Sequence, residues 1–142
     1  MILRVATAVA IGGRALLIEG PPGSGKSSLA LALIDRGATL IGDDGIALTE
    51  RTGELWALPA PATCGLIELR NVGIVTLPTA EAPIALVLDL RHDAPRFVEQ
   101  ADTIAIADHA TPLLAFDPRG PAMAVRAEYA LTLHGLARAR TA

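Results

Sequence analysis

Cysteine is nearly missing from this chain. Cys64 stands alone, which excludes a disulfide framework, and the lack of any Cys-x-x-Cys pair or His/Cys cluster excludes zinc at its usual spacings. A reducing, cytoplasmic setting is the expectation. Aromatic residues are scarce too, 3% against 51% apolar overall, so the core has to be built from Ala, Leu, Ile and Val, a composition suited to a sheet covered by helices. There is no basic excess: the formal net charge is −3, which argues against nucleic acid as the main partner. No apolar run reaches the length of a membrane span, and Met1-Ile2-Leu3-Arg4 lacks the pattern of a signal peptide, so no membrane role is expected. Repeats, low-complexity tracts and linkers are also wanting, and residues 1–142 read as one domain.

What the chain does have is Gly20-Pro21-Pro22-Gly23-Ser24-Gly25-Lys26-Ser27, a match to G-x-x-x-x-G-K-[ST]. The apolar segment Ala15 to Glu19 leads into it as a strand, and Ser28 to Arg36 follow as a helix, with Gly37 where a left-handed C-terminal glycine belongs. Triphosphate binding needs these residue types. Gly20, Gly23 and Gly25 let backbone amides curve around phosphate, and the helix start adds its dipole. Lys26 supplies a mobile charge for the β- and γ-phosphates, and the Ser27 hydroxyl is a hard ligand for Mg²⁺. Gly20 through Ser28 are therefore the candidate ATP-binding residues.

Val5 to Ile11, the Gly12-Gly13 turn and Ala15 to Ile18 read as a hairpin, so the loop hangs from a hairpin's second strand and the sheet is expected to be mixed. Thr39 to Gly42 is a short strand, Asp43-Asp44-Gly45 a turn, and Ile46 to Thr49 and Glu54 to Leu58 flank a turn at Arg51-Thr52-Gly53. Gly65 to Arg70 leads toward a strand over Val72 to Leu77. Ile84 to Leu90 is apolar enough to be buried on both faces. Thr103 to Ala107 and Leu113 to Phe116 are candidate strands. From Pro121 to Leu136, the spacing of Val125, Tyr129, Leu133 and Leu136 predicts a helix with these residues as its buried stripe.

Three acidic positions carry possible chemistry. Parallel pairing of the Thr39 to Gly42 strand with the loop strand would bring Asp43 and Asp44 to the phosphate edge, where one acid can accept a hydroxyl proton and the other hold a metal-bound water. The same residues also make an ordinary Asp-Asp-Gly turn. Glu68 and Arg70, two apart in extended chain, project to one face, as a carboxylate for Mg²⁺ beside a guanidinium for phosphate or as a plain surface ion pair. Asp89, which closes an apolar strand, ranks below Asp44 because strand-terminal Asp also caps turns.

Taken together, the phosphate loop, Arg36-Gly37, Leu40-Ile41-Gly42-Asp43-Asp44 and Gly65-Leu66-Ile67-Glu68-Leu69-Arg70-Asn71-Val72-Gly73-Ile74 resemble the catalytic domain of HPr kinase/phosphorylase, in the short form without the family's N-terminal domain. The likeness covers roughly residues 5 to 78. It implies a P-loop-containing α/β fold with a mixed β-sheet and flanking helices. It also implies Mg-ATP-dependent phosphorylation of a serine on the phosphocarrier protein HPr of the sugar phosphotransferase system, in control of carbon metabolism. By the same resemblance Lys26 binds phosphates, Ser27 and Glu68 hold Mg²⁺, Asp44 accepts the serine proton and returns it in phosphorolysis, and Asp43 supports Asp44. Arg96 matches a later catalytic arginine, and like subunits assemble, often as hexamers. The chain departs from the family at Val5, where a histidine is usual, at Ser28, where an acid is usual, and at Arg70-Asn71-Val72-Gly73 in place of Arg-Gly-Leu-Gly.

Two other readings are open. A small-molecule kinase would share the loop, but such enzymes close arginine-rich lids for which this chain has neither length nor clusters. A nucleotide-sensing regulator with weak or no catalysis fits the missing histidine. His92, His109 and His134 lie far apart in sequence and suggest surface or core roles, Trp56 a core or edge place on its strand, and Cys64 an inert small apolar one.

Overall fold

The computed structural model describes residues 2–137. Its strands are β1 (Ile2–Arg4), β2 (Thr7–Ile11), β3 (Arg14–Glu19), β4 (Thr39–Gly42), β5 (Ile46–Arg51), β6 (Glu54–Pro59), β7 (Leu66–Leu69), β8 (Gly73–Thr76), β9 (Ala82–Leu90), β10 (Asp102–Ile106) and β11 (His109–Phe116). Two α-helices, α1 (Lys26–Asp35) and α2 (Met123–His134), and a short 3-10 turn at Pro61–Thr63 join them.

The main sheet runs β1-β5-β6-β9-β3-β2-β4, and β11 joins β9 beside β10. Parallel pairs β3/β9 and β9/β11 sit among antiparallel ones, so the sheet is mixed, as the leading hairpin predicts. Strand β9 is the junction. It takes β3 along one side, while the other side is divided between β6 at residues 82–83 and β11 at residues 87–90.

Alternation along the central strands feeds two cores. Leu16, Ile18, Leu86, Leu88 and Leu90 face α1 and α2, meeting Leu29, Leu33 and Ala127. Ala15, Leu17 and Val87 face the other way and are covered by Ile46, Leu48, Leu55 and Ile106, as the sheet curls over its own second face. Burial on both faces explains the unbroken apolar run of β9.

Several expectations need correction. The segment read as a strand over Val72 to Leu77 is shorter, Gly73–Thr76, and pairs with β7 in a separate hairpin. Helix α1 begins at Lys26, two residues early, because the loop's last glycine, Gly25 at φ 102, already turns the chain into helical register. Strand β4 runs in the same direction as β3 but is not bonded to it: β2 lies between, antiparallel to both. Helix α2 is where predicted, yet it buries Ala124, Ala127, Ala130 and Leu131. Tyr129 and Leu133 lie on its exposed side and Val125 is only half-buried, because alanines let it pack close against β9, β11 and α1; Leu136 falls beyond the helix end, its amide bonded to the Ala85 carbonyl. Cys64 is exposed. Trp56 is half-buried on β6, with Arg51 stacked 5.0 Å above its ring.

Candidate functional site

Strand β3 ends at Glu19, and the chain from Gly20 to Gly25 arches into α1. Gly23 and Gly25 take φ 80 and 102, left-handed values that glycine adopts at no steric cost. A Cβ on Gly20 would come within 2.7 Å of Ser24 Oγ and 3.2 Å of Leu90, so that position has no room for a side chain. No side chain among the described residues caps α1, which leaves its first amides facing outward for an anion. Ser24 Oγ is buried without a partner among the described residues, as a hydroxyl awaiting an incoming group would be.

Asp43 and Asp44 close β4 at this same end of the sheet. Lys26 Nζ lies 3.1 Å from Asp44 Oδ1, and Ser27 Oγ donates to Asp43 Oδ1 at 2.7 Å. Thr7, at the start of β2, donates to the same oxygen at 3.1 Å and accepts the Asp44 amide at 3.2 Å. The Glu68 amide donates to Asp43 Oδ2 at 3.3 Å. Asp43 is thus the hub that ties β2, β4, α1 and the β7–β8 hairpin together. With Lys26, Ser27 and Ser28, the two aspartates, Glu68 and Arg70 line one cavity of about 670 Å³, within the size range of small-ligand sites. Arg70 sits on the hairpin turn just beyond β7, so it shares the cavity with Glu68 without being its strand neighbour.

Other candidates stand apart. Pro21 and Ser24 face a second cavity of about 570 Å³ on the loop's other flank, together with Asp89 and His92. Asp89 is register partner to Glu19, at the loop's base and away from Ser27. Arg96 is exposed in the connection between β9 and β10 and lines neither cavity. His109 approaches Glu50 at 3.3 Å, remote from the loop. Near the second cavity, hydrogen bonds from the Arg119 side chain and backbone hold the Asp117 carboxyl well below the usual carboxylate range, and Arg91 lowers Asp93 in the same way. Thr7 escaped the sequence reading. Its available signal is a hydroxyl in an otherwise small apolar run, Ala6-Thr7-Ala8.

The donors suit magnesium, which prefers hard oxygen ligands and keeps several waters. Ser27 directs its proton to Asp43, leaving an oxygen lone pair outward. Among the described residues no group of three or more His, Cys, Asp or Glu side chains converges as a metal cage, so a Mg²⁺ here has to draw part of its shell from substrate oxygens and water.

A glycine-rich loop opening a helix at the edge of a mixed sheet, faced by a carboxylate pair from a nearby strand, defines an α/β protein whose loop has the geometry to receive an anion. The family model described as HPr Serine kinase C-terminal domain matches residues 4–111, and the chain belongs to that family. An HPr kinase/phosphorylase from Clostridium tetani is 38% identical over 79 residues, 56% of this chain and 26% of that protein. One from Streptococcus thermophilus is 43% identical over 68 residues, 47% and 22% respectively. The chain spans about a quarter of the length of these curated relatives. The solved structure of the HPr(Ser) kinase/phosphatase from Coxiella burnetii superposes with a TM-score of 0.83 over 93% of this chain and 89% of that one, at 23% identity, which shows a common fold.

Proposed function

We propose that this protein is a Mg-ATP-dependent serine kinase acting on an HPr-type phosphocarrier protein in the cytoplasm, as part of the control of carbon metabolism. The observation that carries the reading is the placement of Asp44 within 3.1 Å of Lys26, at the mouth of a cavity floored by the phosphate loop.

In this scheme Lys26 and the amides of residues 23–27 bind the triphosphate. The Lys26–Asp44 pair, whose Asp44 side chain is 70% exposed, is worth no more than about 1 kcal/mol, so phosphate oxygens readily take Lys26 over. Asp44 is then free to accept the proton of the incoming serine hydroxyl as its oxygen bonds to the γ-phosphorus and the bond to the β,γ-bridging oxygen breaks, releasing ADP. Ser27, Asp43 and Glu68 are the residues that would hold Mg²⁺, which supplies charge neutralisation on the phosphates. Arg70 steadies the transferring group. Val5, 75% exposed where the family usually has histidine, offers no titrating group, which favours the forward reaction over phosphorolysis. Self-association of like subunits belongs to the same proposal, with the apolar outer side of α2 as the surface available for it.

Incubation with labelled ATP and the phosphocarrier tests the reading. Wild type labels the carrier, and Asp44→Asn loses about 10²- to 10⁴-fold in kcat, the usual worth of a general base, with nucleotide affinity retained. Equal labelling by both proteins removes Asp44 from its role. Tight nucleotide binding with no labelling at all points to a sensor instead.

A further inference from the structure

We propose that Thr7 is a positioning residue of this site, its hydroxyl clipping the Asp43-Asp44 turn into the shape that proton transfer needs; the proposal rests on the kinase reading above. Thr7 is fully buried, between the buried Ala6 and Ala8. A hydroxyl so placed must have partners, and both of Thr7's belong to the acid pair.

The proton count fixes the direction of each bond. Thr7 Oγ1 accepts the Asp44 amide at 3.2 Å. Its one proton therefore goes to Asp43 Oδ1, 3.1 Å away. Asp43 Oδ1 receives Ser27 as well, and Oδ2 receives the Glu68 amide, so the carboxylate plane is pinned from three elements. Asp44 has φ 60, a left-handed conformation uncommon for a residue with a Cβ, although Asp tolerates it better than most, and one that an outside constraint helps to keep. Thr7 supplies that constraint by capturing the Asp44 amide. The side chain of Asp44 has one described partner, Lys26, and nucleotide phosphates draw Lys26 away. At that moment the hydrogen bond from its own amide to Thr7 is what keeps Asp44 aimed.

Two variants separate the hydroxyl from the side-chain volume. Thr7→Val keeps the shape and loses the oxygen, whereas Thr7→Ser keeps the oxygen. In the full chain, Thr7→Val is expected to lower kcat about 10²-fold, the scale of a misplaced reacting group, with KM for ATP nearly unchanged. Amide hydrogen exchange by NMR should show Asp44 exchanging about tenfold faster, as the loss of one hydrogen bond implies. Thr7→Ser should restore both. A Thr7→Val protein with wild-type kcat and an equally protected Asp44 amide overturns the proposal, as does a folded Thr7→Ser protein as impaired as the valine form. If Thr7→Val does not fold, the serine form decides: wild-type kcat and protection support the clip, and loss of either overturns it. If the wild-type protein phosphorylates no carrier, the kinase reading fails separately, and Asp44 exchange alone decides whether Thr7 holds the turn.

Discussion

Lys26 is the sole lysine of the sequence, so the chemistry of one amine can be followed without interference from others of its kind. Its side chain is 12% exposed and sits between the loop that presents amides and the acid that balances its charge. Replacing it with methionine keeps the stem and removes the charge-assisted contacts, worth about 1.5–3 kcal/mol. The expected result is a loss of roughly 10- to 100-fold in nucleotide affinity by calorimetry. Lysine-directed acylation followed by mass spectrometry offers the complementary reading. Mg-ATP should shield Lys26, and unchanged modification in its presence removes this side chain from phosphate binding. Arginines cannot substitute in such a test, since Arg70 approaches from the hairpin turn and Arg96 lies outside the cavity.

The turn joining β11 to α2 is held by an arginine network. Arg119 binds the Asp117 carboxylate and the His92 carbonyl, and Arg126 donates to the carbonyls of Asp117 and Arg119 while lying over the Phe116 ring. Because Asp117 is more acidic folded than unfolded, its contribution to stability is complete above the unfolded carboxylate value of about 4 and is lost as pH falls through the lower folded value. Asp117→Asn should therefore be less stable than wild type at neutral pH in denaturant titrations, with a gap that closes as pH drops below about 4. A gap independent of pH would assign the loss to something other than ionisation.

Elements of this kind were unevenly legible in the sequence. Strands β2 to β6 and β9 could be read from apolar runs broken by glycine turns, because each run's burial is local. The buried face of α2 could not. A stripe of alanines has little hydrophobic contrast, while Tyr129 and Leu133 look like core and are 64% and 74% exposed. The β7–β8 hairpin leaves the main sheet to reach the acid pair through the Glu68 amide, a tertiary relation without a local signal. Thr7 was missed for a related reason: its partners lie 36 and 37 residues away.

Across the whole molecule, β9 bears the largest share of the architecture, shared among β3, β6 and β11 and buried on both faces. Leu88, fully buried between the sheet and the helices, is a suitable probe. Leu88→Ala should cost about 2–5 kcal/mol in unfolding free energy, through lost burial and the cavity left behind, and leave nucleotide affinity nearly intact. A large affinity loss at unchanged stability would mean that the sheet interior and the loop are coupled more tightly than the packing indicates.

The interposed strand β2 has a consequence for how such chemistry can be built. Loop and acids end strands that are two sheet spacings apart, about 9.6 Å, a width set by main-chain ladders and therefore insensitive to side-chain drift. Since the middle strand runs opposite to its neighbours, its opening residue falls where theirs finish and becomes the floor between them. Grafting the proposed reaction onto another scaffold would thus take three consecutive ladder positions, with a hydroxyl at the head of the central one.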